Sequence, residues 1–541
     1  MGTLQVSLAA LFLVFLAPAA ELKITLLATT DLHGNLFPYD YYTAQPAERG
    51  LAKIATLIQA ARAENPNNLL IDCGDTIQGT PLEAVYQEKG RPGLERDPMM
   101  LAMNSLGYDA MVVGNHEFNF GLKNLAKARG DAHFPWISSN IVGGDRPFAP
   151  YFLKTIAGVK IAVVGVTTPL IPDWEAEEHY HGYRFESGVE SVRAAVADVR
   201  SRQHADIVIV AAHAGLDGDS RENMVRQIAT EVPGIDAIVF GHTHQQVASL
   251  QIGSVLLMQP RNWGMSLGRM DFVLQSGESG GWKIAFKSSR LIPVTRDTAA
   301  DPKILEIARP YHELAESYLN TPIAEAPVAL DSRLARVEDS ALIDAIQQVQ
   351  LYYSKADVSF ASSFNARVSI PKGPVTIREI AALYIYENQL YAIEGSGKIV
   401  RDALENSARY YNTCAADCSH GPLINPDVIG YNYDMAQGVD YEIDLTQPPG
   451  RRIHNLRWRG RPLDDGQPLR VAVNNYRAGG SAGYSMFRGA KILWRSPDEI
   501  RDLVIQYYTE HKTLPAQPDN NWRVVPETAL HTLEHEVLRQ P

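Results

Sequence analysis

The chain has 541 residues and a formal net charge of −12 at pH 7. This length is too great for one hydrophobic core, so we expect two large domains or more. The acidic balance argues against a sequence-independent grip on polymeric nucleic acid, which needs a basic face. A small anionic substrate stays open, because metal ions and a few arginines can create a local positive site.

The first 20 residues have the pattern of a signal peptide. An apolar run at residues 8–16 precedes small residues that suit a cleavage site, although no Lys or Arg stands before the run. The run is too short to span a bilayer. We therefore expect export with cleavage near Ala19 or Ala20, and a soluble periplasmic or secreted protein without a membrane anchor. We expect a monomer.

From about residue 22 to residue 295, short apolar segments alternate with helix-like segments such as residues 51–63 and 189–202. This alternation predicts an α/β domain, which we place at residues 21–298, with polar clusters in the loops at strand ends. Five short apolar runs are typical of buried strands: residues 22–28, 69–71, 110–113, 207–212 and 237–240.

Residues 301–320 predict a polar helix within a linker at residues 299–322, where Pro310 would kink or divide it. A long helical linker is a natural place for a hinge. Helices and strands then alternate in a second domain at residues 323–541. Its predicted helices are residues 340–351, 377–384, 398–411 and 527–539, and its predicted strands include residues 439–445 and 469–473.

Three cysteines do not make a disulfide framework. Cys414 and Cys418 lie in a loop-like stretch, where they either pair in an oxidising compartment or remain free thiols. Cys73 stands between Asp72 and Asp75. It is either a soft metal ligand or a small buried hydrophobe, and its oxygen- and nitrogen-bearing neighbours favour the second.

Polar side chains follow all five apolar runs, often beside a glycine. They are Asp31 and His33, then Asp75, then Asn115 and His116, then His213, and finally His242 and His244. Carboxylate, amide and imidazole groups together suit borderline divalent ions such as Mn, Zn, Co or Fe, and not a thiolate-rich structural zinc. Asp75 has two oxygens and can bridge two ions. We therefore predict a dinuclear metal site.

The first half resembles the calcineurin-like metallophosphoesterases over residues 24–262, through Asp-x-His, Gly-Asp, Gly-Asn-His-Glu, His and Gly-His-x-His. The resemblance implies a four-layer α/β/β/α domain and an unligated catalytic histidine, His116. It also implies one ion held by Asp31, His33, Asp75 and His244, and a second held by Asp75, Asn115, His213 and His242. Such a pair activates a water and clamps phosphoryl oxygens.

Two stretches of the second half, Leu383 to Asn388 and Asn474 to Gly480, are similar to motifs of the α+β substrate domain of the 5′-nucleotidase family, in which two aromatic rings sandwich a nucleobase. The resemblance points to Tyr386 and Tyr476, with Tyr484 in reserve because the double-glycine loop here is short. It also points to Arg367, with Asn365 close by, for holding the anionic end of a substrate. The alternatives are that the tyrosines are core packing and that Arg367 is a solvated surface residue.

Asn119 discriminates between branches of that family. 5′-Nucleotidases usually have Asp there to orient the histidine that here is His116, whereas Gly114 to Gly121 resembles the 2′,3′-cyclic-nucleotide 2′-phosphodiesterase/3′-nucleotidase branch. The resemblance therefore implies a nucleotide hydrolase that opens cyclic nucleotides and dephosphorylates 3′-nucleotides. A 5′-nucleotidase or UDP-sugar hydrolase of the same fold is the alternative. A sulfur-ester hydrolase has no supporting residue, and the intact His116 argues against a nucleotide receptor without catalysis.

Overall fold

The computed structural model describes residues 21–90, 92–144, 147–218, 220–276, 281–386, 388–415, 418–419 and 421–539. The predicted signal peptide, residues 1–20, lies outside the described residues. Within these ranges, no helix combines the length and the apolar character needed to cross a membrane.

The first half contains two six-stranded sheets. In spatial order, the strands of the first sheet are Trp282–Pro293, Ser266–Ser276, Glu21–Thr29, Asn68–Asp72, Ala110–Val112 and Trp136–Ile137. The strands of the second are Val247–Ile252, Val255–Gln259, Ala237–Phe240, Ile207–His213, Val159–Thr167 and Tyr151–Ile156. Four strands of each sheet are parallel to one another. They are Glu21–Thr29, Asn68–Asp72, Ala110–Val112 and Trp136–Ile137 in the first sheet, and Val159–Thr167, Ile207–His213, Ala237–Phe240 and Val255–Gln259 in the second. Their carboxyl ends therefore lie at one edge of each sheet.

The two sheets pack face to face, and helices cover their outer faces. Leu26 lies in the apolar cluster between the sheets with Ile209, whereas the adjacent Leu27 lies in the helix-side cluster. Val208 likewise points away from Ile209 and joins a cluster with the helix Gly188–Ser201. Both faces of these strands are buried, as their nearly continuous apolar sequences require. The four-layer α/β/β/α prediction is therefore confirmed.

The helices of this half begin with residues that suit helix starts. Proline occupies the first turn of Pro81–Lys89 and Pro98–Leu106, and the Asp97 carboxylate caps the second by accepting from the Met100 backbone N–H at 3.0 Å. The remaining helices are Leu51–Glu64, Gly121–Asp131, Ile171–Trp174, Glu177–Tyr180, Gly188–Ser201 and Val225–Glu231, with a 3-10 turn at His116–Phe118. Short strand pairs are Tyr39–Asp40 with Gln45–Pro46, and Ile141–Gly143 with Tyr183–Phe185.

The segment between the halves contains one helix, Pro302–Leu319, which runs through Pro310 without dividing. It packs against the helices Pro81–Lys89 and Pro98–Leu106 of the first half. Its Glu316 also accepts a hydrogen bond at 3.1 Å from Arg378, which belongs to the second half. The helix therefore contacts both halves of the chain.

The second half is α+β, as predicted, and is built on a five-stranded and a four-stranded sheet. The strands of the five-stranded sheet, in order, are Asp434–Gln437, Val358–Ser362, Pro468–Asn474, Gln389–Ser396 and Ile492–Glu499. Those of the four-stranded sheet are Arg461–Pro462, Ile453–Trp458, Val439–Asp444 and Trp522–Val525. Two small pairs join Pro322–Ala326 to Gly373–Thr376 and Leu330–Asp331 to Ser369–Ile370.

Helices surround these sheets. They are Ala341–Ser354, Ile377–Leu383, Gly397–Ser407, Asn475–Ala478, Ile500–His511 and Glu527–Leu538, with 3-10 turns at Ala408–Tyr410, Gly430–Asn432, Ser481–Gly483 and Ser485–Phe487. Cys414 and Cys418 form a disulfide in the loop after the first of these turns, which decides between the two alternatives open from sequence.

Candidate functional site

The predicted site residues follow strands that lie side by side in the two sheets. Asp31, Asp75 and Asn115 follow the parallel strands Glu21–Thr29, Asn68–Asp72 and Ala110–Val112. The histidines come from the second sheet: His213 ends one strand, and His242 and His244 follow its parallel neighbour. The structure therefore brings all seven predicted ligands to the shared carboxyl edge of the two packed sheets.

Five of these seven residues have backbone conformations that residues other than glycine rarely adopt. Such conformations cost roughly 1–3 kcal/mol each and cluster at functional sites. The φ values are positive at Asp31 (49°), His33 (47°), Asp75 (57°), His242 (75°) and His244 (56°).

Two glycines let the ligand-bearing turns approach one another. A Cβ atom at Gly114 would lie 2.2 Å from Asp75 Oδ1, and one at Gly241 would lie 2.5 Å from Asp31 Oδ2. Real Cβ atoms do not come this close to other atoms, so any larger residue would push the carboxylates away. Glycine at these positions is a requirement of the close approach.

The first group of side chains that can hold an ion consists of Asp31, His33 and His244, whose ligand atoms all lie within 4.8 Å of one another. The Nε2 atoms of His33 and His244 are 3.0 Å apart. His244 Nε2 is also 3.5 Å from Asp31 Oδ1. Asp31 and His33 are buried, so a cation there would be shielded from water on the protein side.

The second group consists of Asp75, His213 and His242, again with ligand atoms within 4.8 Å of one another. His213 Nε2 lies 3.0 Å from Asp75 Oδ2 and 3.1 Å from Asn115 Oδ1, so the amide joins this group. Asp75 Oδ2 is also 3.9 Å from His33 Nε2 in the first group. The Asp75 carboxylate therefore lies between the two groups, where a bridging ligand would be.

The charges of these side chains suit cations. Burial lowers the pKa of His33 to about 4 and that of His244 to about 4, which keeps both imidazoles neutral and able to donate a lone pair at pH 7. Burial also opposes protonation of His213, but the neighbouring Asp75 carboxylate outweighs it and raises the pKa of His213 to about 10. A metal ion between Asp75 and His213 would take the place of that proton.

Thiol chemistry takes no part in this cluster. The buried Cys73 thiol points to the Val239 carbonyl oxygen, 3.7 Å away, which agrees with its interpretation as a small hydrophobe. The donor set consists of carboxylate and amide oxygens and imidazole nitrogens, and it fits a pair of borderline divalent ions.

The histidine rings are held by partners on their other nitrogens. His33 Nδ1 is 3.0 Å from the Gln78 carbonyl oxygen, and His213 Nδ1 is 2.8 Å from the Cys73 carbonyl oxygen. Each carbonyl can only accept, so Nδ1 carries the hydrogen and Nε2 faces the cluster. His242 is reversed, because its Nε2 is 3.2 Å from Glu222 Oε2 and its Nδ1 is left for an ion.

The Glu117 side chain binds the backbone of two ligand-bearing turns, and the sequence analysis did not predict this role. Its buried carboxylate accepts hydrogen bonds from the backbone N–H groups of Gly114, Asp75 and Thr76 at 2.6, 2.9 and 2.6 Å. It therefore ties the Asp75 turn to the Asn115 turn. The position of Glu117 inside the Gly-Asn-His-Glu motif was the sequence feature that could have indicated this role.

His116 lies next to both groups. Its Nε2 is 3.9 Å from Asp75 Oδ2, and its backbone N–H donates to Asp75 Oδ1 at 2.8 Å. Its Nδ1 is 2.5 Å from Asn119 Oδ1. Asn119 thus occupies the orienting position predicted from sequence, and Nε2 is the ring nitrogen that faces the ligand cluster.

Trp174 connects the cluster to the second half of the chain, and no sequence motif indicated it. Its indole stacks on His242, with ring centroids 5.7 Å apart, and on Tyr476, with centroids 5.9 Å apart and planes inclined by 17°. The Asn475 side chain also donates to the Trp174 carbonyl oxygen at 2.7 Å. Tyr476 is therefore two ring contacts away from a predicted metal ligand.

Tyr386, the other predicted stacking residue, is 40% exposed and so has a ring surface free for contact. It packs edge-on against Phe364, with centroids 5.0 Å apart, and lies 6.3 Å from the Tyr431 ring. Tyr484, the reserve choice, is wrong: it is fully buried, and its hydroxyl is 2.7 Å from Ser407 Oγ. A core tyrosine with both faces packed cannot stack on a substrate.

Arg367 and Asn365, the two residues predicted to hold the anionic end of a substrate, have different surroundings. Arg367 is exposed. The Asn365 amide donates to the Ala382 carbonyl oxygen at 3.2 Å and accepts from the Arg367 backbone N–H at 3.0 Å. Both ends of that amide are thus used in shaping the loop that presents Arg367.

Two family models match the chain. Residues 24–246, which contain all seven ligand candidates, match the calcineurin-like phosphoesterase model. Residues 322–489, which contain Tyr386 and Tyr476, match the 5′-nucleotidase C-terminal domain. Proteins of the first family use two divalent metal ions, in agreement with the two side-chain groups described above.

Similar proteins agree with these models. The chain is 32% identical to the 2′,3′-cyclic-nucleotide 2′-phosphodiesterase/3′-nucleotidase of Salmonella typhimurium, over 95% of this chain and 91% of that protein. It is 30% identical to the trifunctional nucleotide phosphoesterase protein YfkN of Bacillus subtilis, over 97% of this chain, and spans 40% of YfkN. A crystal structure of a Staphylococcus aureus protein with a provisional 5′-nucleotidase assignment is 26% identical, with a TM-score of 0.79 over 93% of this chain and 99% of that one. The chain belongs to the family of nucleotide phosphoesterases in which a calcineurin-like phosphoesterase domain precedes a 5′-nucleotidase C-terminal domain.

Proposed function

We propose that the protein hydrolyses 2′,3′-cyclic nucleotides to 3′-nucleotides and then removes the 3′-phosphate to give nucleosides. The observation that carries the proposal is His116, held by Asn119, beside the two groups of ligand candidates. The similarity to the Salmonella enzyme over nearly the whole chain supports it. We further propose export to the periplasm or medium, with the catalytic domain at residues 21–298 and the nucleotide-binding domain at residues 323–541.

The seven ligand candidates would hold two divalent ions drawn from Mn, Zn, Co or Fe. When bound, the ions supply an activated water and neutralise charge on the phosphoryl group. The buried carboxylates of Asp31 and Asp75 are fixed before any ion arrives, because backbone N–H groups of His242 and His116 donate to them at 3.0 and 2.8 Å. Such preorganisation lowers the cost of rearranging ligands during the reaction.

Tyr386 and Tyr476 would bind the nucleobase between their rings. Stacking of a base on an aromatic ring contributes roughly 1–3 kcal/mol and does not select among bases. Arg367 would hold the anionic end of the substrate through charge-assisted hydrogen bonds, and Asn365 would support it by fixing its loop. This arrangement accounts for a nucleotide substrate with broad base tolerance.

In the first reaction, water attacks phosphorus and gives up a proton to solvent, and the bond from phosphorus to the 2′-oxygen breaks. His116 Nε2–H donates its proton to the departing 2′-oxygen, which becomes a hydroxyl, and the product is a 3′-nucleotide. Nε2 is the donor because Nδ1 is bonded to Asn119 Oδ1.

In the second reaction, water attacks the 3′-phosphate monoester. The water gives up a proton to solvent and the bond from phosphorus to the 3′-oxygen breaks. His116, which has taken a proton from solvent after the first reaction, again donates to the departing oxygen. Inorganic phosphate and the nucleoside leave. Both reactions therefore need the same proton donor, and they differ in which ribose oxygen faces His116.

Steady-state assays of the purified protein with Mn or Co test this proposal. We expect turnover of 2′,3′-cyclic AMP, with transient 3′-AMP, and turnover of 3′-AMP to adenosine. Hydrolysis of 5′-AMP without turnover of the other two would overturn the proposal. That result would favour the second candidate, a 5′-nucleotidase or UDP-sugar hydrolase, which the similarity to the Staphylococcus aureus structure supports.

A further inference from the structure

We infer that Glu175 is a positioning residue, which fixes the orientation of the Asn119 amide so that its oxygen accepts from Nδ1–H of His116 and holds the ring with Nε2 toward the substrate. The inference rests on the proposed role of His116 as proton donor. Glu175 belongs to none of the sequence motifs, and it is 56 positions away from Asn119 in the chain.

Three side chains form a continuous hydrogen-bonded series behind His116. His116 Nδ1 is 2.5 Å from Asn119 Oδ1, and Asn119 Nδ2 donates to Glu175 Oε1 at 2.6 Å. The second Glu175 oxygen, Oε2, is 2.9 Å from His179 Nδ1. The Glu175 side chain is only 7% exposed, so water has little access to compete for its oxygens.

The direction of these bonds follows from the chemistry of a carboxylate. An ionised carboxylate can only accept hydrogen bonds, so the Asn119 NH2 group must face Glu175. The Asn119 carbonyl oxygen must then face His116, and an oxygen acceptor requires a hydrogen on His116 Nδ1. Nε2, the nitrogen on the side of the metal-ligand candidates, is therefore the one left to face the substrate.

Without Glu175, the Asn119 amide has no reason to prefer this orientation. A rotated amide would direct its NH2 group at Nδ1–H, so that two donors would face each other. The hydrogen bond that holds the His116 ring, with Nε2 toward the metal-ligand candidates, would then be lost. An aspartate at position 119 would not face this choice, because both of its oxygens accept.

The backbone around Glu175 holds the carboxylate in place. Its N–H donates to the Ile171 carbonyl oxygen at 2.9 Å, at the end of the short helix Ile171–Trp174. The adjacent Trp174 is held by its stacking on His242 and Tyr476. Glu175 is thus fixed by the same segment that joins the ligand cluster to the second half of the chain.

The test compares three variants of the metal-loaded enzyme: Glu175→Leu, Glu175→Gln and Glu178→Gln. Glu178 is the matched control, since it is an exposed glutamate three residues along the same segment. We expect Glu175→Leu to lower kcat by about 100-fold, within the range for loss of general acid catalysis, with KM and metal content unchanged. Glu175→Gln keeps an acceptor oxygen for Asn119 and should retain kcat within about 10-fold. The control should match the wild type.

Rescue separates positioning from a structural role. In the double variant Asn119→Asp/Glu175→Leu, the new carboxylate accepts from Nδ1 in either orientation, so kcat should recover by at least about 10-fold over Glu175→Leu. Glu175→Ala replaces the leucine variant if the latter does not fold. Wild-type kcat in Glu175→Leu, or loss of activity in that variant without rescue by Asn119→Asp, would overturn the inference.

The substrate for these comparisons is whichever phosphoester the wild-type enzyme hydrolyses fastest among the cyclic, 3′- and 5′-nucleotides. A preference for 5′-AMP would overturn the proposed function and would leave the comparison of Glu175 variants intact. The two failures are thereby distinguishable.

Discussion

Glu222 Oε2 lies 3.2 Å from His242 Nε2, so this carboxylate selects Nδ1 of His242 as the atom that faces the ligand cluster. Carboxylates in this position orient a metal-bound imidazole and raise its basicity. We predict that Glu222→Leu weakens binding of one metal ion by about 10- to 100-fold. Titration calorimetry with Mn or Zn measures this. Glu177→Gln, which changes an exposed carboxylate, is the control, and equal affinities in both variants would contradict the prediction.

His116→Ala separates catalysis from metal binding. The His116 ring is not among the seven ligand candidates, so we expect the variant to retain two metal ions per chain by elemental analysis. Loss of the proton donor should lower kcat by about 10²- to 10⁴-fold. Unchanged kcat would exclude His116 as the proton donor, and loss of metal together with activity would assign it to the ligand set.

Gly114→Ala tests the close approach of the ligand-bearing turns. The new Cβ would lie 2.2 Å from Asp75 Oδ1 and 2.8 Å from Glu117 Oε2. We expect destabilisation by about 1–3 kcal/mol from overpacking, together with reduced metal content. Gly130→Ala is the matched control, because nothing lies within 4 Å of its added Cβ and it is helical. Thermal unfolding and metal analysis that show both variants alike would contradict the prediction.

Tyr386→Ala and Tyr476→Ala should each weaken nucleotide binding. The lost stacking corresponds to roughly 1–3 kcal/mol, and kcat/KM should fall by a similar factor for adenine, guanine, cytosine and uracil nucleotides. Tyr352→Ala is the control, since Tyr352 is 44% exposed and packs on Tyr507. A fall in kcat/KM that is confined to the nucleotides of one base would contradict the prediction, because stacking alone does not select among bases.

His179 should make stability depend on pH. The hydrogen bond to Glu175 raises the pKa of His179 above its usual value of 6.5, although partial burial opposes it. The folded state therefore holds this proton more tightly, which stabilises it below pH 6.5 and ceases to do so as pH rises through the folded pKa. We expect the difference in Tm between the wild type and His179→Gln to be larger at pH 6 than at pH 9. Equal differences at both values would contradict this prediction.

Local sequence patterns predicted the secondary elements closely, because apolar runs and helical periodicity are properties of neighbouring residues. The predicted strand at residues 237–240 is the observed Ala237–Phe240, and the predicted helix at residues 51–63 is Leu51–Glu64. Pro310 is predicted to kink or divide its helix, and the division does not occur. Pro302–Leu319 is continuous and packs on three helices of the first half, Leu51–Glu64, Pro81–Lys89 and Pro98–Leu106. Tertiary packing there outweighs the cost of one proline.

The sequence by itself determined which side chains follow the parallel strands, and so which oxygen and nitrogen donors would meet at one sheet edge. Only the tertiary structure decided which side chains contact and orient these donors, and which aromatic rings are buried. Glu222 and Glu175 reach His242 and Asn119 from segments that carry no motif, and Tyr484, which the motif spacing offered as a stacking residue, is in the core. Donor type is encoded residue by residue, whereas orientation and burial depend on contacts between distant segments, which local patterns do not contain.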